Sequence, residues 1–113
     1  EIEQLLALPG VGVYTARAVA AFAYGVRTPV VDTNVRRVLA RAIRGDAEAG
    51  PANTARDLAA MEEQLPVDPQ QARTFNAALM ELGAVVCTAR SPRCDACPIA
   101  DRCAWRTAAT DAA

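Results

Sequence analysis

At 113 residues with 52% hydrophobic content, the chain has the size of one small domain and enough apolar residues to bury a core. Arg17 and Arg27 interrupt its longest apolar stretch, so no run reaches the roughly 18 residues of a membrane span, and a soluble, non-membrane protein is expected. A net charge of -1 excludes bulk attraction to nucleic acid, and the absence of Lys and His excludes an amine Schiff base or a histidine general base.

Ile2, Leu5, Leu6 and Leu8 predict a short helix stopped by Pro9 and Gly10, and a second helix runs from about Val13 to Tyr24, ending at Gly25. Val30 and Val31 are the only strand candidates. Asp32 or Thr33 then caps a third helix of about 11 residues, whose inward face is Val35, Val38, Leu39, Ala42 and Ile43. A polar, turn-rich stretch covers residues 45–53. Ala55, Leu58, Ala59, Met61 and Leu65 predict a fourth helix that stops before Pro66. Asp68 and Pro69 open a fifth, with Phe75, Leu79 and Leu82 inward and Gly83 as its end. Residues 84–103 read as a loop held by cysteines, and the Ala-rich end after Trp105 as a frayed tail. Beginning at Glu1 with no Met and no leader, the sequence reads as a piece cut from something longer.

Leu8-Pro9-Gly10-Val11-Gly12, followed by Ala16, has the form of a helix-hairpin-helix turn. Its glycines permit a sharp turn and a close approach, and the N–H groups opening the next helix can hold a phosphate oxygen without reading sequence. An ordinary helical hairpin is the plainer alternative. Arg36, Arg37, Arg41 and Arg44 crowd one segment around Asp32, while acidic residues dominate the next, which predicts one basic face and one acidic face.

Cys87, Cys94, Cys97 and Cys103 follow a C-x6-C-x2-C-x5-C spacing, compact enough for one loop to wrap four thiolates around a single centre. With no export signal in view, they point to a reducing cytoplasm, where clustered thiols hold a metal more often than they pair. Zinc accepts four cysteines but favours two separated knuckles, and only Cys94 and Cys97 make one here, so an iron-sulfur cluster fits better than zinc or free thiols. Arg90, Arg93, Arg102 and Arg106 would offset the anionic cluster and face phosphates, or else form a solvated basic rim. Asp32 has two readings: a helix cap, or a carboxylate that stabilises a sugar cation at a helix N-terminus favouring negative charge.

In order and spacing, the hairpin, Val31-Asp32-Thr33-Asn34-Val35 and the cysteine loop resemble the helix-hairpin-helix iron-sulfur DNA glycosylase superfamily over about residues 1–106. The resemblance implies an all-α, partial glycosylase fold with a C-terminal cluster loop. It divides the chain into a hairpin part (1–28), helices carrying the aspartate (29–86), the 4Fe–4S loop (87–103) and the tail (104–113). Asn34, and the stretch Phe75-Asn76-Ala77-Ala78-Leu79-Met80-Glu81-Leu82-Gly83-Ala84, look most like the MutY-type adenine branch; Thr33, where many members have Gly, departs from it.

That resemblance makes Asp32 the carboxylate that stabilises or traps the sugar cation as adenine, paired with guanine or 8-oxoguanine, leaves a flipped-out nucleotide. Asn34 would position it. Tyr14 would stand by the pocket where the endonuclease III branch has its lysine nucleophile, so strand cleavage by an amine is not expected. Leu8, Pro9, Gly10, Val11 and Gly12, with Arg90 and Arg93, would hold double-stranded DNA. The proton donor of the branch precedes the hairpin, so these residues by themselves are expected to be inactive and to fold poorly. The implied setting is a monomer in the bacterial cytoplasm, associated with the nucleoid. A thymine or uracil mismatch glycosylase, an endonuclease III-like enzyme, a non-catalytic DNA-binding module with a structural metal and a small zinc module are the competing expectations.

Overall fold

The computed structural model describes residues 2–8 and 12–112, with side chains described through residue 108. The described residues are helical and contain no strand; Val30 and Val31 lie in an extended segment. Helix α1 is Ile2–Leu6 and α2 is Val13–Tyr24, which Gly25 stops with φ of 69°, a left-handed conformation that glycine adopts without steric cost. Helix α3, Thr33–Leu39, starts where Asp32 Oδ1 accepts the Val35 N–H at 2.7 Å.

Beyond Leu39 the chain widens into a π-helical turn, Ala40–Arg44, which α-helical spacing does not predict. Its consequence is a change of face. Ala40 and Arg41 are buried, whereas Ile43, expected inside, is 51% exposed. Helix α4, Thr54–Gln64, is capped by Asn53, and α5, Pro69–Glu81, by Asp68 with Pro69 in its first turn. Gly83 does not end α5. The helix runs on as a second π turn, Leu82–Val86, straight into Cys87. Two short 3-10 turns, Cys94–Ala96 and Ala100–Arg102, shape the cysteine loop. In place of the expected frayed tail, α6 forms from Ala104–Ala112 and lies against the first π turn.

The core packs Val35 and Leu39 of α3 on Met61 and Leu65 around α4 and Ala72 of α5, with Phe75 and Leu79 against them as expected. Arg36 on α3 reaches the buried Asp57 on α4 at 2.8 Å. The radius of gyration, 14.7 Å, exceeds the roughly 13 Å typical of this length. At the hairpin end α1 buries no residue, and Leu6, Leu8, Val13 and Tyr14 are exposed. No described helix is long and apolar enough to cross a membrane.

Asn76, 1% exposed, fixes the segment leading to Asp32. Its Oδ1 accepts the Val30 N–H at 3.1 Å and its Nδ2 donates to the Thr28 carbonyl at 3.0 Å. Replacing it by Ala leaves both backbone groups buried without a partner. Asn76→Ala is expected to lower the unfolding free energy by about 3 kcal/mol, read by urea denaturation, while Thr74→Ala on the exposed face of α5 stays within about 0.5 kcal/mol of the parent; equal effects would remove this role from Asn76.

Candidate catalytic and cluster site

Asp32 stands at the end of the extended segment and the start of α3, half-buried. Capping uses only Oδ1, so among the described residues Oδ2 has no protein partner. The two sequence readings of Asp32 are therefore compatible: one oxygen caps, and the other is available. Tyr14, on the first turn of α2 and 40% exposed, is near enough to feel the Asp32 charge. Its phenol is held above its ordinary pKa, first by partial burial and then by Asp32, both of which disfavour phenolate.

Asn34 does not bond to Asp32. Its Oδ1 accepts from Arg37 Nη2 at 2.9 Å, and the same guanidinium donates to the Gly83 carbonyl at 2.6 Å and, through Nε, to the Cys87 carbonyl at 2.8 Å. Arg37 thus ties the start of α3 to the end of the second π turn. Gly83 permits the approach, because a Cβ there would sit 2.7 Å from the Asn34 carbonyl oxygen. Neither Arg37 nor Gly83 is singled out by spacing. Arg37 reads as part of a charged run and Gly83 as a helix stop, and only the crossing of distant segments reveals them.

The arginines of the run are engaged within the fold, while Arg36, Arg37 and Arg41 still line one open cleft with Arg90. Arg36 is taken up by Asp57 and the Gly50 carbonyl, Arg37 by Asn34, Gly83 and Cys87, and Arg41 is 4% exposed. Arg44 lies 3.6 Å from Asp46. Arg90 and Arg93 are exposed on the cysteine loop, and Arg106 lies 3.6 Å from Asp95. Of the proposed DNA-binding hairpin, Pro9, Gly10 and Val11 lie outside the described residues. Leu8 is exposed, and Gly12 is extended at the start of α2, where a Cβ would meet nothing within 4 Å.

All four cysteines line one cavity with Arg41, Val86, Pro92, Arg93 and Trp105. None is in a disulfide. Yet among the described residues no three Cys, His, Asp or Glu side chains converge closely enough for one metal ion. The shared cavity, not a preformed single-ion geometry, is what brings the four thiols together. The donor set, four soft thiolates with no His, suits iron-sulfur chemistry.

Comparison with known proteins agrees. Residues 87–103, from the first cysteine to the last, match the iron-sulfur binding domain of endonuclease III, and residues 2–22 match the helix-hairpin-helix motif. The chain belongs to the iron-sulfur helix-hairpin-helix DNA glycosylase superfamily. Its superfamily cofactor is a 4Fe–4S cluster. Adenine DNA glycosylase of Mycolicibacterium smegmatis is 61% identical over 108 residues, covering 96% of this chain and 36% of that protein. Its human counterpart is 46% identical over 105 residues, covering 93% and 19%. The chain therefore spans about a third of the bacterial glycosylase.

Among solved structures, a thermostable thymine-DNA glycosylase superposes with a TM-score of 0.83 at 32% identity, covering 96% of this chain and 49% of that one. A trapped endonuclease III–DNA covalent intermediate gives 0.76 at 25% identity, covering 97% and 49%. The expected glycosylase fold and its C-terminal cluster region are borne out.

Two measurements probe this candidate site. Metal analysis of the purified protein is expected to find iron and sulfide with broad visible absorption, reduced by Cys94→Ala; zinc without colour would replace the cluster. In a Tyr24→Phe background, Tyr14 should form phenolate only above the ordinary value of about 10. Asp32→Asn removes the nearby negative charge and should bring that midpoint down, though not fully, because burial remains. An unchanged midpoint in the ultraviolet titration would separate Tyr14 from Asp32.

Proposed function

We propose that the protein containing this chain is a monofunctional DNA glycosylase that hydrolyses the N-glycosidic bond of adenine paired with guanine or 8-oxoguanine. The observation that carries the reading is Asp32: a half-buried carboxylate on an anchored helix start, one oxygen engaged and the other open, beside a phenol and not an amine. The 61% identity to bacterial adenine DNA glycosylases, against 32% to the thymine-DNA glycosylase, supports adenine as the target.

In this reading the target nucleotide is flipped out of the duplex. Asp32 Oδ2 faces the sugar as the bond to the base breaks, and its charge stabilises the positive charge developing at C1′. The bond pair leaves with adenine, which takes a proton from a donor outside this chain. Water then adds to C1′ and loses its proton, leaving an abasic site. Tyr14 borders the base, and Asn34, held by Arg37, steadies the start of α3. No residue here supplies an amine, so the backbone is not cut by a Schiff base.

Cys87, Cys94, Cys97 and Cys103 hold the cluster, which serves as a loop fastener and brings Arg90 and Arg93 to the DNA. At the other end, Gly12 supports phosphate contact. Its backbone conformation is open to any residue, and a Cβ there would meet nothing within 4 Å among the described residues, so their packing does not explain the glycine. The close approach of a phosphate oxygen to the N-terminus of α2 does. We place the protein in the cytoplasm with the bacterial nucleoid, acting as a monomer on double-stranded DNA, and the present residues are inactive without the proton donor.

A second reading, removal of thymine from G mismatches, is favoured by the TM-score of 0.83 to the thymine-DNA glycosylase. Single-turnover excision by the complete protein on duplexes with A opposite 8-oxoguanine, A opposite G, and T opposite G separates the two. Adenine release that Asp32→Asn reduces by about a hundredfold or more is expected. Thymine release alone would transfer the protein to the second reading. Release of neither base would leave a DNA-binding module.

A further inference from the structure

Arg41 is the one deeply buried charge among the described residues that no carboxylate answers. At 4% exposure its guanidinium donates through Nε to the Ala47 carbonyl at 2.8 Å, through Nη1 to the Thr88 carbonyl at 2.8 Å, and through Nη2 to the Ala89 carbonyl at 3.2 Å. These bonds satisfy donors, but they leave a full positive charge in the interior. The ion pairs of the described residues join other arginines to Asp or Glu, and none includes Arg41. A buried cation without a counter-charge is costly, and an anion beside it would offset that cost.

The anion that the surroundings offer is thiolate sulfur. Arg41 Nη1 points at Cys87 Sγ, 3.4 Å away, and Arg41 lines the cavity that all four cysteines share. Trp105 also packs against Arg41, with the guanidinium carbon over the ring 4.8 Å from its centroid. The Arg41 carbonyl accepts from the Cys103 thiol at 3.5 Å, a contact that a metal-bound thiolate, which has no proton, would give up. The contact from Nη1 to Cys87 is of the opposite kind and strengthens when the sulfur becomes anionic.

We infer that Arg41 is the counter-cation of the cluster and the latch that makes the order of residues 87–93 and the docking of Trp105 depend on cluster loading. With the cluster in place, the buried charge is matched and the carbonyls of Thr88 and Ala89 stay on the guanidinium. Without it, the cation lacks its anion, and the cheapest relief is to open the loop and let the guanidinium reach water. The inference rests on the four cysteines holding a cluster and is independent of which base the protein removes.

The test uses the cluster-loaded holoprotein. Arg41→Met keeps approximate volume but removes the charge and the donors. It should lower the reduced-to-oxidised ratio of the cluster at fixed potential by about tenfold, ~59 mV for a one-electron couple, because a nearby cation favours the more negative redox state. Arg41→Lys retains the charge without the planar fork. It should stay near the parent potential yet show faster amide exchange over residues 87–93. An Arg41→Met protein that keeps its cluster at the parent potential would overturn the counter-cation role.

Should that variant fail to fold, the parent protein decides. Removing the cluster is expected to raise exchange over residues 87–93 at least tenfold and expose Trp105 to an aqueous quencher, with α5 still protected. Unchanged protection of the loop after cluster removal would overturn the latch.

Discussion

A guanidinium in a protein interior needs acceptors on several sides at once, and meeting that need at Arg41 dictates the path of much of this chain. The carbonyls of Ala47, Thr88 and Ala89 come from two segments far apart in sequence, and both must bend towards one side chain. The indole of Trp105 covers the same group, which seats α6 on the turn that carries Arg41. That turn is π-helical, a geometry normally less favourable than α-helix. Here it rotates Arg41 inward and Ile43 outward. The less favourable turn is thus tied to the buried cation, because an α-helical continuation would have presented the face containing Ile43.

A second arginine performs the related task one turn earlier. Arg37 spans Asn34, Gly83 and Cys87, so the start of the helix that carries Asp32 and the entry to the cysteine loop share one planar group. The bare α-carbon of Gly83 lets the two segments come close enough for this, and Asn76 holds the preceding extended segment from the other side. Asp32 is accordingly constrained by its own cap, by the backbone before it and by the helix after it. In the proposed reaction such constraint favours catalysis, since a preorganised charge does not have to reorient as the bond breaks.

What the sequence makes legible follows from how local each signal is. The caps at Asp32 and Asp68, the stop at Gly25 and the bounds of α2 lie within a few residues of their cause, and they are found where expected. The cysteine spacing is local too, and it points to the cluster without knowledge of the fold. The π turns are not legible, because apolar residues at helical spacing continue through them and nothing short-range marks the added residue. Arg36, Arg37 and Arg41 resemble a solvated basic stripe until distant acceptors fold over them. Gly83 gives the same local signal as a helix stop, and its reason lies at Asn34. The helix after Ala104 was hidden for the same cause: its Ala-rich sequence has little pattern, and its partner is the turn at residues 40–44.

The two sides of the candidate site differ in how firmly they are held, and this bears on where base choice resides. Asp32 belongs to the densely bonded half, fastened to the cluster loop through Arg37. Tyr14 belongs to the hairpin half, where the apolar face around Leu6, Leu8 and Val13 is open among the described residues. Solved structures whose names specify a thymine glycosylase and an endonuclease III superpose on nearly the whole chain. A backbone common to proteins with different named activities cannot itself select the base. Under the proposed function, the rigid half, which fixes Asp32 at the start of α3, is suited to a step that does not depend on the base. Under the same proposal, discrimination falls to side chains on the open half, Tyr14 among them.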